Sequence, residues 1–137
     1  MSAEQAGVGL VLVSHSAEVA RAVAHLAAHL TGAPDEVAIE AAGGTEDGGL
    51  GTSADLVVRA AHAVDRGAGV AILADLGSAV LTVKALLAED GELPAHSVLV
   101  DAPLVEGAVA AAVAASAGAD LEGVRAAAAE AYDYRKR

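Results

Sequence analysis

The sequence predicts an α/β fold, a doubly wound parallel sheet of four strands in the order 2-1-3-4 with helices on both faces. Three observations lead there. Short continuous runs of β-branched residues and leucine, such as Val8 to Val13 and Val70 to Ala74, have the composition of strands buried on both faces of a parallel sheet. Each run gives way within a few residues to a segment with helical apolar spacing, so the chain alternates strand and helix and closes on a helical pair. The connections are short, which together with right-handed crossovers leaves an open parallel sheet as the expected topology.

The first strand covers residues 8–13 and stops at Ser14-His15-Ser16. A helix is expected over residues 16–30, with Val19, Val23, Leu26 and Leu30 on one inward stripe, Ser16 as its cap and Glu18 at the positive end of the macrodipole. Gly32-Ala33-Pro34 is turn chemistry, and residues 37–41 form a second strand, polar enough for a sheet edge. Residues 43–53, the most glycine-dense stretch, make a loop whose backbone can approach an anion closely. Ser53 then caps a helix over residues 54–66, with Leu56, Ala60, Ala63 and Val64 facing inward. The third strand, residues 69–74, ends at Asp75, and Ser78 is expected to cap a helix over residues 79–87. A fourth strand over residues 97–100 ends in Asp101-Ala102-Pro103, where Pro103 suits the first turn of a helix running to about residue 117. A last helix spans about residues 121–134. With no repeat, linker or heptad, residues 1–137 are expected to form one domain.

Composition narrows the function classes. The formal charge of −11 speaks against nucleic acid or an anionic membrane surface as a partner, because both are bound by clustered Lys and Arg. The one basic cluster, Arg135-Lys136-Arg137, reads as a solvated tail. No stretch reaches the roughly 20 continuous, strongly apolar residues of a membrane helix. Residues 1–7 are short and acidic, unlike a signal peptide, and the absence of cysteine fits a cytoplasmic protein. There is no P-loop, no G-x-G-x-x-G after the first strand and no G-x-S-x-G elbow. His25 and His29 are four apart but lack the glutamate and third ligand of a metal-binding helix, so no metal or cofactor is expected.

The candidate site follows from topology. In a 2-1-3-4 sheet, strands 1 and 3 are neighbours, and their carboxyl ends open the crevice where such folds place ligands. That puts His15, after strand 1, beside Asp75, after strand 3. A carboxylate accepting from Nδ1–H of the imidazole fixes the proton there and leaves the Nε2 lone pair free as nucleophile or base. The surrounding groups are the Gly43-Gly44 loop, the helix starts at Ser16 and Ser78, and the hydroxyls of Ser14, Thr45, Thr52 and Ser78. These are anion-cradling groups, suited to a phosphoryl group on Nε2.

Five segments in order, V-L-V-S-H-S (Val11 to Ser16), A-A-G-G-T (Ala41 to Thr45), G-T-S (Gly51 to Ser53), A-D-L-G-S-A (Ala74 to Ala79) and D-A-P-L-V-E-G-A (Asp101 to Ala108), carry a resemblance. Together they resemble the mannose-type enzyme IIA class of the bacterial phosphotransferase system, in the branch that serves dihydroxyacetone kinase. The resemblance implies a homodimeric domain, without a cofactor, that takes a phosphoryl group from the carrier HPr. It implies that the group is held on His15, oriented by Asp75, and passed to ADP on a kinase subunit. It also implies that Gly43, Gly44, Thr45, Gly77 and Ser78 flank the phosphoryl site. Some relatives continue into HPr-like and enzyme I-like domains, whereas this sequence ends at Arg137, so phosphate is expected from a separate carrier. Two other readings remain open: a regulatory module that reports phosphorylation through His15 without passing it on, and a small-ligand-binding domain in which His15 is dispensable.

Overall fold

The computed structural model describes residues 7–137, and the acidic leading segment read above lies almost wholly outside them. Four strands, β1 (Gly9–Ser14), β2 (Ile39–Gly43), β3 (Val70–Ala74) and β4 (Ser97–Leu99), form one sheet in the order β2-β1-β3-β4. Every pairing is parallel, with Ser14 beside Gly43 at one end of β1 and Val13 beside Ala74 at its other neighbour. The order and direction are those the sequence predicts.

Alternation along the central strands sorts the helices into two layers. Leu10, Leu12, Ala71 and Leu73 point to one face, where α1 (Ala17–Leu30), α4 (Leu104–Ser116) and α5 (Leu121–Ala129) pack through Val23, Ala27, Ala108, Ala112, Val124 and Ala128. Val11, Val13, Val70 and Ile72 point to the other, covered by α2 (Ala54–Val64) and α3 (Gly77–Leu87) through Val57, Ala61, Val64, Ala79 and Val83. Both central strands are therefore buried throughout, which is why they read as unbroken apolar runs.

Several local expectations shift. α1 buries Ala20, Val23 and Ala27, and leaves Val19, Leu26 and Leu30 exposed, so the large-residue stripe is not the core-facing one. The small residues let the helix lie close to the sheet, and only Val23 is common to both faces. α2 likewise buries Val57 and Ala61 where Ala63 was expected, and Ala63 is exposed. β2 lies two residues later than expected, after a 3-10 turn at Pro34–Glu36. Pro103 occupies the cap position of α4 instead of its first turn, and the last helix gives way to a 3-10 turn at Glu130–Asp133. Among the described residues no helix is long and apolar enough to cross a membrane.

Candidate functional site

The end of β1 delivers Ser14 and His15 to the carboxyl edge of the sheet, and the end of β3 delivers Asp75 beside them. Asp75 N–H donates to the Val13 carbonyl at 3.0 Å, which continues the strand pairing one residue beyond the sheet and fixes the carboxylate next to β1. Its Oδ1 accepts from His15 Nδ1 at 3.0 Å and from Leu76 N–H at 2.6 Å. Its Oδ2 accepts from His15 N–H at 3.0 Å and from the Ser14 hydroxyl at 2.9 Å. A carboxylate has about four lone-pair positions, and here all are engaged. Partial burial pushes the Asp75 carboxyl up, but the bonds from His15 N–H, Ser14, the His15 ring and Leu76 N–H together hold it below its ordinary value of 3.8. An ionised Asp75 can only accept, so Nδ1 of His15 carries a proton, and in the neutral imidazole Nε2 then presents its lone pair.

Nε2 in turn accepts from the Ser78 hydroxyl at 2.5 Å. Ser78 is therefore not the cap of its helix: α3 starts at Gly77, the cap position is Leu76 without a side-chain bond, and Ser78 lies in the first turn with its hydroxyl turned to the imidazole. The Gly77 and Ser78 amides sit in that first turn, where backbone N–H groups have no acceptor within the helix, and the helix dipole adds positive potential. The His15 side chain is 28% exposed, so Nε2 is reachable from outside while Nδ1 is held against Asp75.

The remaining expected residues divide. Ser16 caps α1 by accepting from Val19 N–H at 3.2 Å. Ser14, 1% exposed, donates to Asp75 and accepts from Ser16 N–H at 3.1 Å; its hydroxyl positions the carboxylate and does not face the outer ring nitrogen. Gly44 N–H donates to the Ser14 carbonyl and Thr45 N–H to the Gly49 carbonyl, so these two amides serve the fold of the loop. The Thr45 hydroxyl likewise donates to Asp47 within that loop. The loop does reach the site, because Gly51 N–H donates to the His15 carbonyl at 2.9 Å. Thr52 pairs as an isolated bridge with Gly44, and its Oγ1 is buried with no hydrogen-bond partner among the described residues. Gly43 has a packing reason: a Cβ there would stand 2.5 Å from the Ser16 carbonyl oxygen and 2.6 Å from Ala17 Cα, so only glycine lets β2 pass the start of α1.

Leu76 is the contributor that sequence reasoning missed. Its backbone N–H completes the Asp75 shell, and no side-chain signal marks it. The histidines off the site behave as expected for a solvated helix face: His25 and His29 are exposed, with ring centroids 4.1 Å apart.

Fold and geometry define a class, an open parallel α/β domain whose switch point presents a carboxylate-oriented imidazole beside a helix start. The chain belongs to the EIIA-man family, whose model, described as PTS system fructose IIA component, matches residues 9–125. The PEP-dependent dihydroxyacetone kinase 2, phosphoryl donor subunit DhaM of Listeria innocua is 38% identical over 107 residues, covering 77% of this chain and 84% of that protein. The PTS-dependent dihydroxyacetone kinase, phosphotransferase subunit DhaM of Lactococcus lactis is 34% identical over 119 residues, covering 85% of this chain and 89% of that one. The Escherichia coli phosphoryl donor subunit DhaM is 38% identical over 120 residues, but this chain spans only 25% of its length. Among solved structures, that of the unknown-function protein EF1359 superposes with a TM-score of 0.79 at 33% identity, covering 96% of this chain and 97% of that one.

Proposed function

We propose that residues 1–137 act as one phosphocarrier domain. It accepts a phosphoryl group from phospho-HPr on Nε2 of His15 and passes it to ADP held by the nucleotide-binding subunit of a dihydroxyacetone kinase. The observation that carries this reading is the Asp75 Oδ1 to His15 Nδ1 bond of 3.0 Å, which leaves Nε2 as the nucleophile. In the accepting step the Nε2 lone pair attacks phosphorus, the P–Nε2 bond forms, and the donor's P–N bond breaks with its electron pair returning to the donor nitrogen. Nδ1 keeps its proton, and the positive charge that grows on the ring develops against the Asp75 carboxylate. In the second step a terminal phosphate oxygen of ADP attacks, and the P–Nε2 electron pair returns to His15. Such transfer depends on positioning and on balancing charge over the phosphoryl oxygens. Ser78, released from Nε2, and the amides of Gly77 and Ser78 are the donors assigned to those oxygens, with the unpartnered Thr52 hydroxyl as a further candidate.

The homodimer is part of the same proposal. Val19, Leu26 and Leu30 on α1 and Val105 and Val113 on α4 supply exposed apolar surface for it.

The test is incubation with phosphoenolpyruvate, enzyme I and HPr, followed by mass spectrometry under non-acidic conditions. One phosphoryl group on His15, discharged by the ADP-loaded kinase subunit, is the expected result. His15→Ala removes the label with the fold intact by circular dichroism. A label that forms but does not discharge replaces this reading with the regulatory module, and no label with an active donor leaves the ligand-binding reading.

A further inference from the structure

Beyond β3, on the side opposite β1, a cleft of about 440 Å³ opens at the carboxyl ends of β3 and β4. Volumes of this order hold small organic molecules, and such sites combine an apolar lining with a few convergent polar groups. Here the apolar part includes Val80, Leu99 and Leu104. The polar groups come from four separate parts of the fold: Asp75 ends β3, Lys84 lies on α3, Asp101 follows β4, and Tyr132 belongs to the closing 3-10 turn. His15 does not line this cleft, and the phosphoryl chemistry described above uses none of Lys84, Asp101 and Tyr132.

The bonding of each polar group limits what the cleft can take. Asp75 has both carboxylate oxygens engaged by Ser14, His15 and Leu76, so it offers a ligand no free acceptor and its charge is already offset by donors. Asp101 accepts from the Tyr132 hydroxyl through Oδ1 at 2.8 Å, a bond that pushes the phenol up and keeps it protonated. Its Oδ2 has no hydrogen-bond partner among the described residues. Lys84 makes no ion pair among the described residues. One free cation and one half-engaged carboxylate thus face the same space, a balanced pair with no net charge for an ionic ligand to neutralise. An anion gains from Lys84 what it loses to Asp101, and a cation the reverse. A hydroxyl is the uncharged group that both donates and accepts, so two hydroxyls on one molecule satisfy the acceptor-only carboxylate and the donor-only ammonium together.

We propose that the cleft between α3 and the end of β4 binds a small uncharged polyhydroxyl compound. One hydroxyl donates to Oδ2 of Asp101, a second accepts from Nζ of Lys84, and the carbon chain packs on Val80, Leu99 and Leu104. The Asp75 wall sets the occupant one residue position away from the imidazole that Asp75 holds, so the ligand site and the His15 site share a side chain without sharing a pocket.

The experiment is nitrogen-15 amide spectroscopy of the full chain, titrated with glycerol and xylitol as probes and with glycerol 3-phosphate and serinol as the anionic and cationic counterparts of glycerol. Xylitol is expected to give saturable shifts at the amides of Asp75, Lys84 and Asp101, with a Kd of about 1–10 mM, the weak binding open to a ligand of few atoms. Lys84→Met and Asp101→Asn should each raise that Kd about 10-fold, while unchanged signals away from the cleft show that both variants are folded. Tighter binding of glycerol 3-phosphate or serinol than of glycerol overturns the assignment of an uncharged ligand. No saturable shift at these amides, or the same Kd in the wild type and both variants, overturns the site. No readout uses a phosphorylated His15, so failure here is distinct from failure of the carrier reading.

Discussion

His15 is constrained at both ring nitrogens, and the two constraints have different chemistry. Asp75 on Nδ1 is a fixed charge held by four donors, whereas Ser78 on Nε2 is one hydroxyl that a phosphoryl oxygen can take over. Asp75→Asn tests the first. The amide has an N–H₂ group that can donate to Nδ1, which moves the ring proton to Nε2 and blocks the nucleophile. The expected loss in the rate of phosphorylation is about 10²- to 10⁴-fold, measured by single-turnover labelling. The same variant tests linkage. Because the folded-state value lies below the ordinary 3.8, ionised Asp75 contributes stability that is fully present above that value and is lost as pH falls through the lower one. Denaturation midpoints of wild type and variant should therefore differ at neutral pH and converge in strong acid. The His15–Asp75 pairing was legible in the sequence because strand order alone brings those two positions together. The directions of the Ser14 and Ser78 hydroxyls were not, since a side chain three atoms long can cap, brace or face a ligand according to tertiary geometry that spacing does not encode.

At the level of elements, the site depends on how closely β2 can pass the start of α1. Gly43→Ala would put a methyl group 2.5 Å from the Ser16 carbonyl oxygen, with no flexible side chain there to yield. The expected cost is about 1–3 kcal/mol in chemical denaturation, together with slower phosphorylation, because α1 begins directly after His15 and Ser16. Packing against the start of α1 is by itself a reason for glycine at position 43, independent of any role of the loop in holding an anion. Strands and helices were legible because buried parallel strands are unbroken apolar runs and Ser16 and Ser53 are unambiguous caps. The buried face of α1 was not legible. An alanine-rich helix offers two stripes, and the one with Ala20 and Ala27 wins because it approaches the sheet more closely than one with Leu26 and Leu30 could.

At the scale of the whole molecule, the fold places the partly exposed imidazole of His15 at the carboxyl edge of the sheet in a chain of formal net charge −11. In the proposed transfer the Asp75 shell sets which nitrogen reacts. That last point is the central claim, and nitrogen-15 correlation spectroscopy of histidine-labelled protein, phosphorylated through phosphoenolpyruvate, enzyme I and HPr, tests it most directly. Phosphorus coupled to Nε2 of His15, with the proton retained on Nδ1, is the predicted result. Phosphorus on Nδ1, or on any residue other than His15, would contradict it.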